Sequence, residues 1–150
     1  MNVPFLRVVV RVWLTEILIS GFNFFVLMNL VYERWWGELR AHQIGMSTRI
    51  VYIFVLAYLL LRYNKQYEPK DLVQGGALWL GLTLTFEWGG SVLILRRPVD
   101  DILVGWHVQD GYMWPYVLAA YLLAIPIVGL TLRPGKSAGG GRAERRPAAR

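Results

Sequence analysis

The sequence predicts an all-α integral membrane protein, a four-helix bundle with both termini in the cytoplasm. Hydrophobic residues make up 55% of the 150 residues and the mean hydropathy is +0.38, which is too apolar for a soluble domain of this size. Apolar stretches long enough to cross a bilayer, which takes about 20 residues each, occur four times with short loops between them. Lys and Arg residues are concentrated on one side of these stretches.

The first two spans are predicted at residues 12–32 and 42–61. The first is longer than the hydrophobic core of a signal peptide and no small-residue cleavage site follows it, so it is predicted to be a retained helix. The strongly apolar part of the second begins only at Ile50 and reaches membrane length only when the residues before it are included. Arg49 is therefore predicted to lie inside the membrane.

The third and fourth spans are predicted at residues 72–95 and 112–132, which completes a transmembrane domain over residues 1–132. Pro126 interrupts the fourth span and removes one backbone hydrogen bond, so a kink is expected there. In the loop between these spans, residues 96–111, the apolar residues recur at helical spacing. This pattern predicts a short helix that lies in the outer membrane interface.

The distribution of basic residues predicts the orientation. One side carries the amino terminus, the loop 62–71 and the tail, with Arg7, Arg11, Arg62, Lys65, Lys70, Arg133, Lys136, Arg142, Arg145, Arg146 and Arg150. The other side carries only Arg34, Arg40, Arg96 and Arg97. By the positive-inside rule, both termini are predicted to be cytoplasmic, with the chain in the inner (plasma) membrane of the cell.

The tail, residues 133–150, is rich in Gly, Pro, Ala and Arg and has no apolar periodicity. Such a composition buries too little surface to fold alone, so a disordered cytoplasmic tail is predicted. Its basic residues are expected to contact anionic lipid headgroups, which explains the charge more simply than nucleic acid does.

Three ionisable residues lie within the predicted spans: Glu16, Arg49 and Glu87. Each costs about 2.5 to 3.5 kcal/mol at the bilayer centre, so such residues usually face the interior and pair. Counted at about 1.5 Å per residue from the predicted helix ends, Arg49 and Glu87 lie at nearly the same depth. They are predicted to form a buried pair, either a structural clamp or a gate or proton-linked site.

Glu16 is counted closer to the cytoplasmic side, so it is not expected to reach Arg49. Its carboxylate either binds protons in a transporter or extends to the inner interface, where Arg11 is a partner. The polar residues that share its helix face are Ser20 and Asn23. This face is predicted to point inward.

The third span has two stripes at a spacing of four residues. Its polar stripe, predicted to face the bundle, consists of Thr83, Glu87 and Ser91. Its small-residue stripe, on the opposite side, consists of Ala77, Gly81, Thr85 and Gly89. Small residues let helices approach closely, so a neighbouring helix is predicted to pack against the second stripe.

No metal site or catalytic set stands out. His42 and His107 both fall on the predicted outer face and are weak candidates for metal ligands, with ordinary interfacial polar residues as the favoured interpretation. The sequence has no cysteine, which excludes disulfides, iron–sulfur clusters and thiol catalysis. No nucleophile with a base and no phosphate-binding glycine loop is found, so no cofactor is expected and an enzyme is the least favoured class.

Three segments, AHQIG at 41–45, FEWGG at 86–90 and GYMWPYVL at 111–118, resemble a pattern in small four-helix membrane proteins of bacteria. The resemblance extends loosely over residues 41–118 and implies the same fold, with no activity attached. It draws attention to His42, Glu87 and Trp114.

Two functions fit these observations. The favoured one is a non-catalytic accessory subunit or oligomeric scaffold, as a homo-oligomer or within a larger membrane complex, because the polar residues can pair internally. The alternative is a small proton- or ion-coupled transporter, in which Glu87 or Glu16 changes protonation state and Arg49 is the counter-ion.

Overall fold

The computed structural model describes residues 2–94, 96 and 98–132, and in this part of the chain all regular structure is helical, with no strand. The predictions for residues 95 and 97 and for the tail, residues 133–150, lie outside the described residues. The all-α prediction is confirmed for the described part.

Helix α1 covers Val3–Trp36. It is α-helical over Val3–Phe22, π-helical over Asn23–Tyr32, and α-helical again for its last turn. The Asn2 side chain caps its start by accepting a hydrogen bond from the Phe5 N–H at 3.2 Å. The helix therefore begins well before residue 12, the predicted start of the first span. Residues 3–11 can be part of it because they are apolar apart from two exposed arginines.

Gly37 separates α1 from helix α2, Glu38–Tyr63. Its backbone has φ +79° and ψ 166°, a conformation essentially restricted to glycine. The turn reverses the chain, so that Asn23 of α1 contacts Gly45 of α2 through a hydrogen bond of 3.0 Å. Helices α1 and α2 are therefore antiparallel neighbours.

Helix α3 covers Pro69–Gly89 and continues as a π-helical segment, Gly90–Ile94. A capping box fixes its start, where the Glu68 N–H donates to the Asp71 carboxylate at 3.0 Å. The next loop contains a short helix α4, Val99–Leu103, followed by two 3₁₀ turns. Helix α5, Trp114–Thr131, then continues through Pro126 to its end.

Among the described residues, three helices are long and apolar enough to cross a membrane. They are Val3–Trp36, Glu38–Tyr63 and Trp114–Thr131. Helix α3 falls outside this set, since glycines and polar residues reduce its hydropathy. A chain with several membrane-spanning helices is thus supported, and the fourth crossing stays a prediction.

The long helices pack around a shared core. Helices α1 and α3 run in the same direction: the Trp79 indole N–H donates to the Val9 carbonyl at 2.9 Å, and the Trp13 indole N–H donates to the Thr83 hydroxyl at 2.9 Å. Helix α5 runs opposite to α3, with Leu122 against Gly76. The largest buried apolar side chains of this core include Trp79, Tyr121, Ile53, Leu61, Leu72 and Ile125.

The predicted packing of the small-residue stripe is wrong for the described chain. Ala77, Gly81 and Thr85 are exposed, and a Cβ atom built on Gly81 or Gly89 would meet no neighbouring element of that part within 4 Å. The close approach is made by Gly76, where an added Cβ would lie 2.2 Å from the Leu122 carbonyl oxygen. The spacing identified a stripe but did not determine which side of α3 faces inward.

Candidate functional site

Arg49 lies on α2 and joins four helices. Its Nη2 donates to the Glu87 carboxylate of α3 at 2.9 Å and to the Tyr121 hydroxyl of α5 at 2.9 Å. Its Nε donates to the Glu16 carboxylate of α1 at 3.3 Å. We call these four residues the Arg49 cluster. Arg49 is only 5% exposed, so its predicted contact with Glu87 is present at a buried position.

The expectation that Glu16 lies too far away to share Arg49 is wrong. Because α1 begins at Val3 rather than near residue 12, Glu16 lies deep within the helix and not close to its end. Its side chain is fully buried at 0% exposure, so it neither extends to the surface nor depends on Arg11. Both glutamates therefore share one arginine.

Two aromatic rings lie close to the guanidinium. The Arg49 Cζ lies 5.4 Å from the Trp114 ring centroid and 5.5 Å from that of Tyr121. Cation–π contacts of this kind replace part of the hydration that a buried guanidinium loses. Arg49 is thus held in place by neutral rings as well as by carboxylates.

The charges of the cluster do not balance. With both glutamates ionised, two carboxylates face one guanidinium and leave one net negative charge in a buried place. The second oxygen of Glu16, Oε2, is buried and has no hydrogen-bond partner among the described residues. The two carboxylates repel each other as well as attracting the arginine. One added proton would make the sum of these charges zero.

The polar face of α1 points inward. The Ser20 hydroxyl donates to the Glu16 carboxylate and lies 2.8 Å from the Tyr52 hydroxyl of α2. The buried Asn23 side chain donates to the Gly45 carbonyl. Ser20 thereby connects Glu16 to a tyrosine that the sequence pattern did not single out.

The polar stripe of α3 also faces the interior. Thr83 is fully buried and accepts the Trp13 indole hydrogen bond. Glu87, one turn further along, keeps a side-chain exposure of 33%. Ser91, one more turn along, lines the cavity described next. Among the two carboxylates of the Arg49 cluster, Glu87 is the accessible one.

A cavity of about 810 Å³ adjoins the Arg49 cluster. It lies between the second half of α1, the first half of α2, the end of α3 and the region around α4. Arg49, Glu87 and Ser20 line its inner part, while the exposed Glu33, Glu38 and Asp101 line its surface end. Glu16 is not among its lining residues and lies behind Arg49.

The two histidines have different surroundings. His42 lines the cavity, accepts the Met113 backbone N–H at 3.2 Å and packs against the Tyr112 ring. His107 is exposed and pairs with Asp110 at 3.6 Å. Among the described residues, no group of three or more His, Asp or Glu side chains is arranged to hold a metal ion. The structure does not join these histidines in one site.

Sequence reasoning missed two members of this region, Tyr52 and Tyr121. Both lie within apolar helices, where a phenol hydroxyl needs a hydrogen-bond partner, and that requirement was the available signal. The family resemblance drew attention to Trp114. Its ring over Arg49 depends on the packing of α5 against α2, which the sequence does not specify.

Comparison with known proteins gives no match to any family model, curated protein or solved structure.

Proposed function

We propose that this chain is a four-span membrane protein that transports a small solute in a proton-linked manner. One observation carries the proposal: two glutamates share one buried arginine, and one of the glutamates, Glu87, opens onto a cavity of about 810 Å³. Ionisable groups placed so deep in a membrane protein are costly, and they commonly mark proton or solute pathways.

The topology belongs to the same proposal. Helix α3 lies beside α1 and α5, so it occupies the same depth as two helices that are long and apolar enough to cross a membrane. Together with the distribution of Lys and Arg, this supports four crossings of a bacterial inner membrane, with both termini in the cytoplasm. Helix α4 then lies in the outer interface, and the basic tail contacts anionic lipid headgroups.

In the proposed mechanism, the Arg49 cluster exchanges one proton as the cavity fills and empties. Glu87 exchanges protons with the cavity, since it is the exposed carboxylate, while Glu16 remains behind Arg49. When Glu87 is protonated, Arg49 keeps its ion pair with Glu16 and its hydrogen bond with Tyr121. The arginine therefore never loses all of its partners during the exchange.

The test uses the full chain reconstituted in phosphatidylethanolamine–phosphatidylglycerol vesicles that contain a pH-sensitive dye, with the membrane potential clamped. Four probes are added separately: tetraphenylphosphonium, glycine betaine, benzenesulfonate and sucrose. At least one of them should drive protein-dependent proton movement. The Glu87→Gln variant should lose it while it keeps its helical content, and Asp110→Asn, which removes an exposed carboxylate outside the cavity, should retain it.

Two results would contradict the proposal. One is solute-driven proton movement that persists in a folded Glu87→Gln protein. The other is the absence of protein-dependent proton movement with every probe in the unmodified chain.

A second function, the accessory subunit or scaffold, is favoured by the way in which Arg49 connects α1, α2, α3 and α5. Such a clamp would need no proton exchange. On this hypothesis, Glu87→Gln lowers the unfolding temperature and assembly without changing any flux. Arg49→Gln, which breaks all of these contacts, should lower the unfolding temperature more than Glu87→Gln does, and an Arg49→Gln variant as stable as the unmodified chain would argue against a clamp.

A further inference from the structure

The charges that line the cavity select for a positive ligand. Four carboxylates line it, on Glu33, Glu38, Glu87 and Asp101. The arginine that also lines it, Arg49, is paired with two carboxylates, Glu16 and Glu87, so these three groups together carry a net negative charge when both glutamates are ionised. The remaining carboxylates lie at the surface end and give the entrance a negative potential.

Aromatic rings form part of the walls of the cavity. These rings belong to Phe24, Phe25, Phe86, Trp88, Tyr112 and Trp114. Aromatic faces bind weakly hydrated organic cations and pack against apolar groups, whereas inorganic ions keep their water and gain little from such walls. The volume of about 810 Å³ falls within the range of small-molecule sites.

We propose that this cavity binds a monovalent organic cation with an apolar body, of the quaternary ammonium or phosphonium type. The charged centre lies close to Glu87, and the apolar groups contact the aromatic walls. The inference rests on the proposed function, because it names the class of solute that the same site takes. It adds to that function a charge preference that the Arg49 cluster alone does not specify.

The first test needs no variant. The full chain in lipid nanodiscs is dialysed against tetraphenylphosphonium and, separately, against tetraphenylborate, an ion of similar shape and opposite charge. Empty nanodiscs provide the baseline for partition into lipid. Saturable binding of tetraphenylphosphonium above this baseline is expected, with no excess of tetraphenylborate. Equal binding of the two ions, or an excess of the anion alone, would overturn the proposal.

Two neighbouring carboxylates on α4 give a matched pair of variants. Asp101 lines the cavity, whereas Asp100, next to it in the same short helix, does not. Asp101→Asn should weaken tetraphenylphosphonium binding by about threefold, the size expected for one exposed charge at an entrance, and Asp100→Asn should leave it unchanged. Equal effects of the two substitutions would mean that general surface charge, and not the cavity, attracts the cation.

Glu87→Gln should weaken binding further, by about tenfold or more, because Glu87 is the carboxylate closest to the proposed charged centre. Failure of this inference is distinguishable from failure of the proposed function. Proton movement driven by betaine, benzenesulfonate or sucrose, without tetraphenylphosphonium binding, would contradict the proposed cation site and leave the proposed transport function standing. A lack of proton movement with every probe would contradict the proposed transport function itself.

Discussion

At the scale of single residues, the geometry of the guanidinium explains why residue 49 is an arginine. It reaches Glu16 through Nε and both Glu87 and Tyr121 through Nη2, while two aromatic rings lie against it. A lysine ammonium is a compact, strongly hydrated charge, so it cannot reproduce these contacts at once. Removing the positive charge leaves two carboxylates without their counter-ion.

We predict that Arg49→Gln lowers the free energy of unfolding by about 3 to 5 kcal/mol, the cost expected when one partner of a buried ion pair is removed. Adding Glu16→Gln to this variant should recover part of the loss, because one of the uncompensated carboxylates is then removed. Unfolding in mixed detergent micelles measures both effects. Arg7→Gln, at an exposed arginine of α1, is the control and should change the free energy by no more than about 0.5 kcal/mol. A double variant less stable than Arg49→Gln alone would contradict the shared-arginine geometry.

The sequence predicts some of these contacts because depth along a helix can be counted. Arg49 and Glu87 were matched in this way, and the structure brings them within 2.9 Å. The same count failed for Glu16, since it depends on where α1 begins, and the start at Val3 was not recognised. The sequence does not predict the contact between Tyr121 and Arg49, because that contact depends on the rotation of α5 about its axis.

At the scale of the helices, α3 is fixed by its contact with α5. Gly76 faces the Leu122 carbonyl so closely that no larger residue fits, because the obstacle is backbone and cannot rotate away. Gly81 lies on the exposed side, where a side chain would meet nothing within 4 Å in the described part of the chain. The two glycines thus have different roles although they occur in the same helix.

We predict that Gly76→Ala destabilises the protein by about 1 to 3 kcal/mol, the usual cost of overpacking a tight contact. Gly81→Ala should be neutral or stabilising by up to about 1 kcal/mol, because alanine favours the helix and has room there. Thermal unfolding of the two variants in the same detergent makes the comparison. A larger loss for Gly81→Ala than for Gly76→Ala would show that the small-residue stripe is the packing face after all.

The stripe shows what a sequence pattern leaves open. A spacing of four residues places Ala77, Gly81, Thr85 and Gly89 on one side of α3. Which side turns inward depends on the partners, and Trp79 and Thr83 find theirs on α1. The sequence predicts that the polar stripe faces inward because exposing Glu87 to lipid is costly. No such cost identifies Gly76 as the position of the close contact with α5.

At the scale of the whole molecule, the proposed four crossings depend on α3. If α3 crosses the membrane, the residues before and after it lie on opposite sides. The loop before it contains the exposed Lys65, and the loop after it contains the exposed Gln109. The chain has no native cysteine, so single cysteines can be introduced without any background.

We predict that a cysteine at Lys65→Cys is labelled by a membrane-impermeant maleimide only after the cells are opened, whereas one at Gln109→Cys is labelled in intact cells. The positive-inside rule gives this orientation. The unmodified chain is the control and should not react. Labelling of both positions from the same side would mean that α3 does not cross the membrane and would contradict the proposed topology.

The cavity is also a property of the whole molecule. Its lining comes from α1, α2, α3, α4 and α5, and residues as far apart in sequence as Ser20 and Trp114 contribute to it. The helix content and three of the candidate spans follow from hydropathy. The cavity between the packed helices depends on all of their tilts and rotations together. The Arg49 cluster was therefore partly predictable, while its opening to a cavity was not.

The most direct test of the account is whether the Arg49 cluster exchanges a single proton. Infrared difference spectra of the full chain in lipid, with and without ¹³C-labelled glutamate side chains, report the carbonyl stretch of a protonated glutamate, and its frequency distinguishes a partly buried side chain from a fully exposed one. As the pH falls, we predict that one such band appears in the unmodified protein, shifts on labelling, and changes in both Glu16→Gln and Glu87→Gln but not in Asp110→Asn. Two results would contradict the account: a folded protein in which no such glutamate band appears at any pH, or a band that neither Glu16→Gln nor Glu87→Gln changes.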